Sequence, residues 1–483
     1  MVPFTTLLGE RMRLRGQVST VVFTVAVACA LVVPSSAQAA TLEWGECRQP
    51  ATAGVQCARL RVPVDWATGR GGFELALARR QAPAGQRIGT VVYLPGGPGD
   101  SGVDQLRGGT KVSPAVAARF DVVTLDPRGT TGSSPVRCDP ALVSAPPNVN
   151  PDTGGRLTQV VEYSRKLAAS CRAGTGDVLD HIDSSDVARD VEAVRAAIGA
   201  RQVSLYSRSY GTLVAQTYAR MYPHRVRAMV LDSVFDHSLS GVKFLETTTR
   251  GVEDSFNAFA AWCVGATECA LHSHDVGAVF DGLYLRAERG DLTEPSDPDR
   301  RISPTDLSWQ TMRGWLYRPD WPGLADRLAR LARFLPAGTA PPQLPATASF
   351  PMAAFCADHR FTFRDEHDWQ RQWAKLKTVA PHMRTHLVWQ VASICSGWPL
   401  PVTNPQAEPR VWVPALLLNN RYDPATPWAG AAHVNRTIPR SVLLTRESGG
   451  HGVYVSARNA CADQATDRYF VDLELPAPGT SCH

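Results

Sequence analysis

Between Gln202 and Tyr222 the chain runs from an apolar stretch of strand length, Gln202 to Tyr206, through Ser207-Arg208-Ser209-Tyr210-Gly211 into a helical pattern that stops at Pro223. A strand, a tight turn and a helix, with small residues two places before and two places after a serine, form the context of a nucleophile elbow. The turn is strained, so Ser207 and Gly211 are small, and it lifts the Ser209 hydroxyl above the C-terminal edge of a sheet. The plainer alternative is a serine-rich loop that caps the helix.

Three further apolar runs of strand length lie nearby: Thr90 to Leu94, Asp121 to Leu125 and Arg227 to Leu231. A helix capped by Ser184 or Ser185 is predicted through Ile198, because Val187, Val191, Val194, Ala197 and Ile198 recur with helical spacing before Gly199. Strands that are apolar throughout and alternate with helices indicate an α/β fold, a mostly parallel sheet with helices on both faces. From Phe235 to Pro405 strand-like runs give way to helical patterns such as Leu324 to Phe334, and eight of the twelve tryptophans fall there. Prolines between Pro336 and Pro351 divide this segment, and strand signals return at Val413 to Asn419 and Ser441 to Thr445. The expected organisation is therefore one core, residues 40–234 and 406–483, with a helical lid inserted at 235–405.

A serine hydroxyl becomes a nucleophile only when a base takes its proton, and the base needs an acid to orient it. Both are found later in the chain, each after a strand signal: Asp423 within Asn420-Arg421-Tyr422-Asp423-Pro424, and His451 within Gly449-Gly450-His451-Gly452. Asp232 is the rival acid, although its place at the end of a strand suits a hydrogen bond to the departing turn. His433 in a helical pattern and His224 beside Pro223 read as surface histidines.

Gly96-Gly97-Pro98-Gly99-Asp100-Ser101-Gly102 follows the first of these strands and contains a literal G-x-G-x-x-G, with Asp126 at the end of the next strand where a ribose-binding acid would stand. Pro98 weakens a dinucleotide reading, because it removes a backbone N–H from the turn meant to cradle a pyrophosphate. With Ser209 as nucleophile, the loop instead reads as part of an oxyanion hole. One donor is expected from Tyr210, just after the nucleophile, and the other from Gly97, with Gly99 as second choice.

Arg11, Arg13 and Arg15 precede an apolar run from Val21 to Val33, and Ala37-Gln38-Ala39 follows, which reads as a secretory signal peptide over residues 1–39 cleaved near Ala39; Met12 is an alternative start. The run falls short of the roughly 20 residues needed to cross a bilayer, so no stable membrane span is expected. Cys29 offers a weaker lipoprotein cleavage site. Either cut leaves ten of the eleven cysteines, an even number that argues for disulfides in an exported chain. Short loops close most readily, so neighbours are expected to pair: Cys47 with Cys57, Cys138 with Cys171, Cys263 with Cys269, Cys356 with Cys395, and Cys461 with Cys482. A metal site is not expected, since Cys356 with His359 and His272 with His274 each lack a second half. With 50 basic against 45 acidic residues, charge gives no reason to propose a nucleic-acid partner.

Taken together, Gly96-Gly97-Pro98-Gly99-x-Ser101-Gly102, Asp126-Pro127-Arg128-Gly129-x-x-Gly132-x-Ser134, Ser209-Tyr210-Gly211-Thr212, Trp262-Cys263 with Cys269, Asp423-Pro424-x-Thr426-Pro427 and Gly450-His451-Gly452 resemble the secreted tripeptidyl aminopeptidases of actinobacteria. These belong with the prolyl iminopeptidase branch of the α/β-hydrolases. The sequence departs from them in Ser207 for the usual glycine, Asp100 where glycine is common, and Tyr93-Leu94-Pro95 ahead of the glycines.

The resemblance implies a serine exopeptidase, without cofactor or metal, that removes short peptides or a proline-containing unit from substrates with a free N-terminus. It also implies that Arg128 orders a loop and takes no part in the chemistry. Such an enzyme needs an anion for the α-amino group; Glu246, Glu253 and Asp254 lie early in the insertion, and its tryptophans are placed to line a cleft or to form the lid's own core. A secreted carboxylesterase or lipase would share the triad, and a non-catalytic binding protein on the same fold is a third reading.

Overall fold

A computed structural model describes residues 42–338, 350–384 and 387–483. The signal peptide expected over 1–39, with Cys29, lies outside the described residues, as does most of the proline-rich stretch. The strands in chain order are β1 (Gly45–Glu46), β2 (Val55–Val62), β3 (Phe73–Arg80), β4 (Gly89–Leu94), β5 (Phe120–Leu125), β6 (Val203–Arg208), β7 (Val226–Asp232), β8 (Thr293–Glu294), β9 (Asp297–Arg301), β10 (Ala415–Tyr422), β11 (Val442–Gly449) and β12 (Ser481–Cys482).

All but β8 and β9 form one ten-stranded sheet in the order β1-β2-β3-β5-β4-β6-β7-β10-β11-β12. From β5 to β12 every pairing is parallel, while β1, β2 and β3 add an antiparallel edge. The parallel strands are those whose apolar runs are continuous. Five of the six β6 residues, Val203 to Ser207, are buried, because helices cover both faces. On one face Val92, Leu205, Leu231 and Leu417 share a core with Val191, Val194, Leu213 and Val214. These last four come from the Ser184–Ala197 and Gly211–Met221 helices. On the other face Val91, Tyr93, Tyr206, Val230 and Leu418 meet Tyr469 and Phe470 of the Ala460–Asp472 helix. Each such fully buried side chain contributes roughly 1.5–3 kcal/mol.

The edge strands β2 and β3 were not among the runs expected. In β2, VQCARLRV, exposed Arg59 and Arg61 alternate with buried Ala58, Leu60 and Val62, the two-residue period of a strand with one solvated side, whereas in β3, FELALARR, Leu75 to Ala78 are all buried. A reading based on long continuous apolar runs passes over both, because the apolar run of β3 is only four residues long and is flanked by Glu74 and Arg79.

Among the described residues, seven α-helices lie between β7 and β10, beginning with Gly241–Gly265 and ending with Leu387–Ser396. The expectation that this segment is free of strands is corrected by the β8–β9 hairpin. Asp297-Pro298-Asp299-Arg300-Arg301 gives no apolar signal, and the hairpin is tied down by buried Glu294, which accepts from the Arg327 guanidinium at 2.7 Å. The first half of the segment has its own core, with Phe256, Phe259, Phe280, Leu283, Leu324 and Leu328. Its second half joins the main core. Trp369 and Trp373 pack on Trp389 with ring centroids 5.4 and 5.5 Å apart, against Val160 and Leu167 of the Leu157–Thr175 helix.

The ten cysteines pair neighbour with neighbour: Cys47–Cys57, Cys138–Cys171, Cys263–Cys269, Cys356–Cys395 and Cys461–Cys482. Among the described residues no helix is long and apolar enough to cross a membrane, and no group of three or more His, Cys, Asp or Glu is placed to hold a metal ion.

Candidate active site

The parallel register brings the carboxyl ends of five strands to one edge. Leu94 lies beside Ser207, Ser207 beside Leu231, Arg208 beside Asp232, and Asp232 beside Leu418. The loops that leave β4, β6, β7, β10 and β11 therefore meet, and they carry Gly97, Ser209, Ser233, Asp423 and His451.

Ser209 has φ of +56°, in the left-handed region that non-glycine residues rarely adopt. The conformation is held from both sides: its N–H donates to the Asp232 carbonyl at 2.9 Å, and its carbonyl accepts from the Thr212 N–H at 2.9 Å and the Thr212 hydroxyl at 2.7 Å. Gly211 is required here, because a β-carbon would stand 2.4 Å from the Pro95 carbonyl oxygen. Gly96 is equally constrained, since a β-carbon there would lie 2.9 Å from that of Ser209. Ser207, where glycine is usual, is fully buried, and its hydroxyl donates to the Val230 carbonyl of the adjacent strand at 3.1 Å.

His451 Nδ1 lies 2.9 and 3.0 Å from the two Asp423 carboxylate oxygens, and both residues are buried, 4% and 1% exposed. Asp423 also accepts from the Ala425 and Thr426 N–H groups, both at 2.9 Å, and from the Ser233 hydroxyl at 2.8 Å. A carboxylate held by this many donors, while facing an imidazole, fixes the ring with Nδ1 as donor and Nε2 free to accept. His451 Nε2 is buried and has no hydrogen-bond partner among the described residues. No hydrogen bond joins Ser209 Oγ to it here; such contacts tighten when substrate is bound. The loops are nevertheless joined, because the Arg208 guanidinium, one residue before the nucleophile, donates to the His451 carbonyl at 2.5 Å.

The Tyr210 and Gly97 N–H groups, expected as oxyanion donors, have no partner among the described residues. Both residues line the cavity of about 260 Å³ that opens over Ser209. Phe235, Phe244, Phe355, Trp309 and Met312 make most of its wall apolar. Of the tryptophans in the insertion only Trp309 lines it, so the others belong to packing.

The rival residues have other work. Asp232 accepts from the Val453 and Tyr454 N–H groups at 2.8 and 3.1 Å and from the Tyr206 hydroxyl at 3.0 Å, which anchors the segment after His451. Burial holds its carboxyl above the ordinary range, with Arg208 opposing. His433 bonds Asp236 at 3.0 Å. The His224 carbonyl accepts from Gln202.

Asp126 accepts from the Ser101 hydroxyl and the Val103 and Gly132 N–H groups, so it orders the glycine loop of its own chain and does not face a ribose. Arg128 is buried in a bidentate pair with Asp190, at 2.7 and 2.6 Å, and donates to three carbonyls. Of the insertion acids, Glu246 pairs with Lys243 and Lys375, and Glu253 accepts from the His382 and Met383 N–H groups. None of Glu246, Glu253 and Asp254 lines the cavity.

Four residues that the sequence did not single out complete the site. Ser233 bridges Asp423 and the Gly452 N–H, which donates to its hydroxyl at 2.7 Å. Asn420 donates to the Gly450 and Gly452 carbonyls on either side of His451. Tyr317, just beyond a π-helical turn at Thr311–Leu316, lays its ring 4.3 Å from that of His451 and accepts the His451 N–H at 2.9 Å. Asp358, at the end of the Met352–Asp358 helix, accepts from the Tyr210 hydroxyl, the Ser184 hydroxyl at 2.7 Å and Asn404 at 2.6 Å. Burial, and then Asp183, push its carboxyl up to about 7. Ser233 and Asn420 were within reach of a sequence reading, because they adjoin strand ends; Tyr317 and Asp358 belong to no motif.

A serine on a strained turn between a parallel strand and a helix, with an acid and a histidine following later strands in that chain order, defines an α/β-hydrolase of the serine type. Residues 380–482 match the α/β-hydrolase family described as TAP-like protein. The chain is 29% identical to the serine protease Hip1 of Mycobacterium tuberculosis over 505 residues, covering 95% of each chain. It is 26% identical to the tripeptidyl aminopeptidase of Streptomyces lividans, over 94% of this chain and 88% of that one. A Mycobacterium tuberculosis protein named carboxylesterase B is 29% identical, over 91% of this chain and 89% of its own.

Proposed function

We propose that this chain is a secreted serine exopeptidase that releases short peptides, of the tripeptidyl or prolyl type, from substrates with a free N-terminus. Ser209 attacks the scissile carbonyl while His451 takes its proton, with Asp423 holding the imidazole in the accepting tautomer. The oxyanion is received by the Tyr210 and Gly97 N–H groups, the leaving amine takes the proton back from His451, and water activated by His451 releases the acyl group from Ser209. Tyr317 covers the other face of the imidazole. No step needs a metal or cofactor. Export is supported by the N-terminal leader and by the five disulfides.

One observation carries the exopeptidase reading: the Ser209 cavity is walled by residues of the insertion, Trp309, Met312, Tyr317 and Phe355, over the elbow. A pocket so walled suits a chain end better than the middle of an extended polypeptide. The relatives named serine protease and tripeptidyl aminopeptidase support the same class. The apolar wall, and the relative named carboxylesterase B, favour a second reading, ester hydrolysis on the same triad.

The deciding experiment is a panel of free and N-blocked di-, tri- and tetrapeptide anilides, with simple aryl esters, against the purified mature protein. The exopeptidase reading expects cleavage of free peptides of a preferred length and little of the blocked ones. Activity confined to esters would establish the second reading instead.

A further inference from the structure

An exopeptidase must meet the substrate's α-ammonium with negative charge, and the acids that the sequence offered for this in the insertion are committed elsewhere. Among the described residues lining the Ser209 cavity the one acidic side chain is Asp100. It sits on the loop expected to supply an oxyanion donor, and that loop is tightly curled: a β-carbon on Gly97 would lie 2.9 Å from the Asp100 nitrogen, and the Asp100 N–H reaches back to the Gly96 carbonyl at 3.4 Å. Asp100 therefore stands within one turn of where the substrate's carbonyl oxygen would gain charge.

It has no ion-pair partner among the described residues. Arg313, the other charged side chain among the described residues lining the cavity, has its guanidinium 4.0 Å over the Tyr317 ring and pairs with no acid among the described residues. The Tyr317 phenol is held above its ordinary range by burial, and Asp423 and Asp100 both add to the effect while Arg313 and Arg208 oppose it.

An unpaired carboxylate beside an oxyanion hole opposes the charge that the reaction creates. For a neutral substrate it is a handicap. For a substrate that brings its own cation it becomes an attraction that also cancels the repulsion. Asp100 is exposed, so its carboxylate is open to an incoming cation.

We propose that Asp100 is the anchor for the substrate's α-ammonium group, so that this enzyme selects free N-termini from the oxyanion loop. This rests on the exopeptidase reading above and adds the residue that sets its specificity.

The test measures kcat/KM of the wild type, Asp100→Asn, Asp100→Gly and Asp100→Glu on a free tripeptide anilide, on its N-acetyl form and on p-nitrophenyl acetate. Asp100→Asn and Asp100→Gly are expected to lose about tenfold or more on the free peptide, mostly in KM, while the acetylated peptide and the ester are hydrolysed at least as fast as by the wild type. Asp100→Glu should recover part of the preference.

The proposal is overturned if the ratio of free to blocked substrate is unchanged in both neutral variants, or if all three substrates slow together, which would report a damaged loop. A wild type that does not prefer the free peptide removes the exopeptidase reading itself. A wild type that prefers it, with variants that keep the preference, removes only Asp100.

Discussion

The sheet edge beside the Ser209 cavity and the insertion over it are built by different physics. On the sheet side, Asp423, His451 and Ser233 lie on short loops after adjacent strands, and their hydrogen bonds run largely to backbone groups: Ala425, Thr426 and Gly452 N–H for the acid and its bridge, Val453 and Tyr454 N–H for Asp232 behind them. On the insertion side, Trp309, Tyr317 and Phe355 are placed by helix packing and rings, braced by the Cys263–Cys269 and Cys356–Cys395 disulfides. The difference separates tasks. In the proposed mechanism the sheet edge fixes the atoms that exchange protons, where small displacements are costly. The insertion shapes what reaches them, and a packed helical layer can change its lining while the triad's geometry stays the same.

Four sets of variants test this division of tasks. Ser209→Ala should lower kcat by on the order of 10⁶-fold while leaving the thermal midpoint within a few degrees of wild type. Appreciable residual turnover of an anilide would remove Ser209 from the mechanism.

The two buried acids of the sheet edge should then separate. Asp423→Asn is expected to reduce kcat by on the order of 10⁴-fold, because the amide favours the wrong imidazole tautomer. Asp232→Asn should cost about 1–3 kcal/mol of stability, seen in urea unfolding, with a much smaller loss of kcat, because it holds backbone rather than the base. Equal kinetic losses would merge the roles that the hydrogen bonds divide.

Across the two walls, Tyr210 donates to Asp358 of the insertion, so Tyr210→Phe should lower kcat by roughly 2–10-fold with KM little changed. The same contact predicts a pH dependence. The Asp358 carboxyl is pushed up to about 7 from an ordinary value of 3.8, so the folded state holds its proton more tightly than the unfolded chain does. Its contribution to stability is therefore fully present below about pH 4 and is lost as pH rises through about 7. Urea midpoints measured across that window should decline less in Asp358→Asn than in wild type; parallel declines would place the titration elsewhere.

The smallest effect is expected at Glu246, whose partners Lys243 and Lys375 are both largely exposed. Glu246→Gln should change stability by under about 1 kcal/mol and leave KM for free peptides unaltered. A raised KM would return the amine-binding role to the insertion and count against Asp100.

The contrast between the walls also explains what could be read without coordinates. Ser209, Asp423 and His451 each carry a local mark, a strand signal followed by glycine or proline, because a parallel sheet delivers its strand ends to one edge whatever lies between them. The strands β6 and β7 were legible because they are buried almost throughout; β2 was not, because one side of it is solvated, and the short apolar run of β3, Leu75 to Ala78, is flanked by Glu74 and Arg79. Asp358 was invisible for another reason. Nothing in Cys356-Ala357-Asp358-His359 says that this helix end will meet Tyr210, since that contact spans 148 residues and depends on how the insertion packs. The insertion's tryptophans illustrate the same limit: their sequence suits a cleft and a core equally, and packing placed Trp369, Trp373 and Trp389 in the core and Trp309 on the cavity.

The parallel α/β core, the order of candidate nucleophile, acid and base, and the neighbouring cysteines as the pairs to expect are all legible in the amino-acid order alone. These are properties of short segments, where hydrophobic period, turn chemistry and loop closure act over few residues. That Asp232 holds backbone while Asp423 faces His451, that Tyr317 packs on the imidazole, and that Asp100 alone among the described acids lines the cavity became visible in the folded chain. Those outcomes depend on which distant groups share a low-dielectric space, and packing of the whole chain sets that.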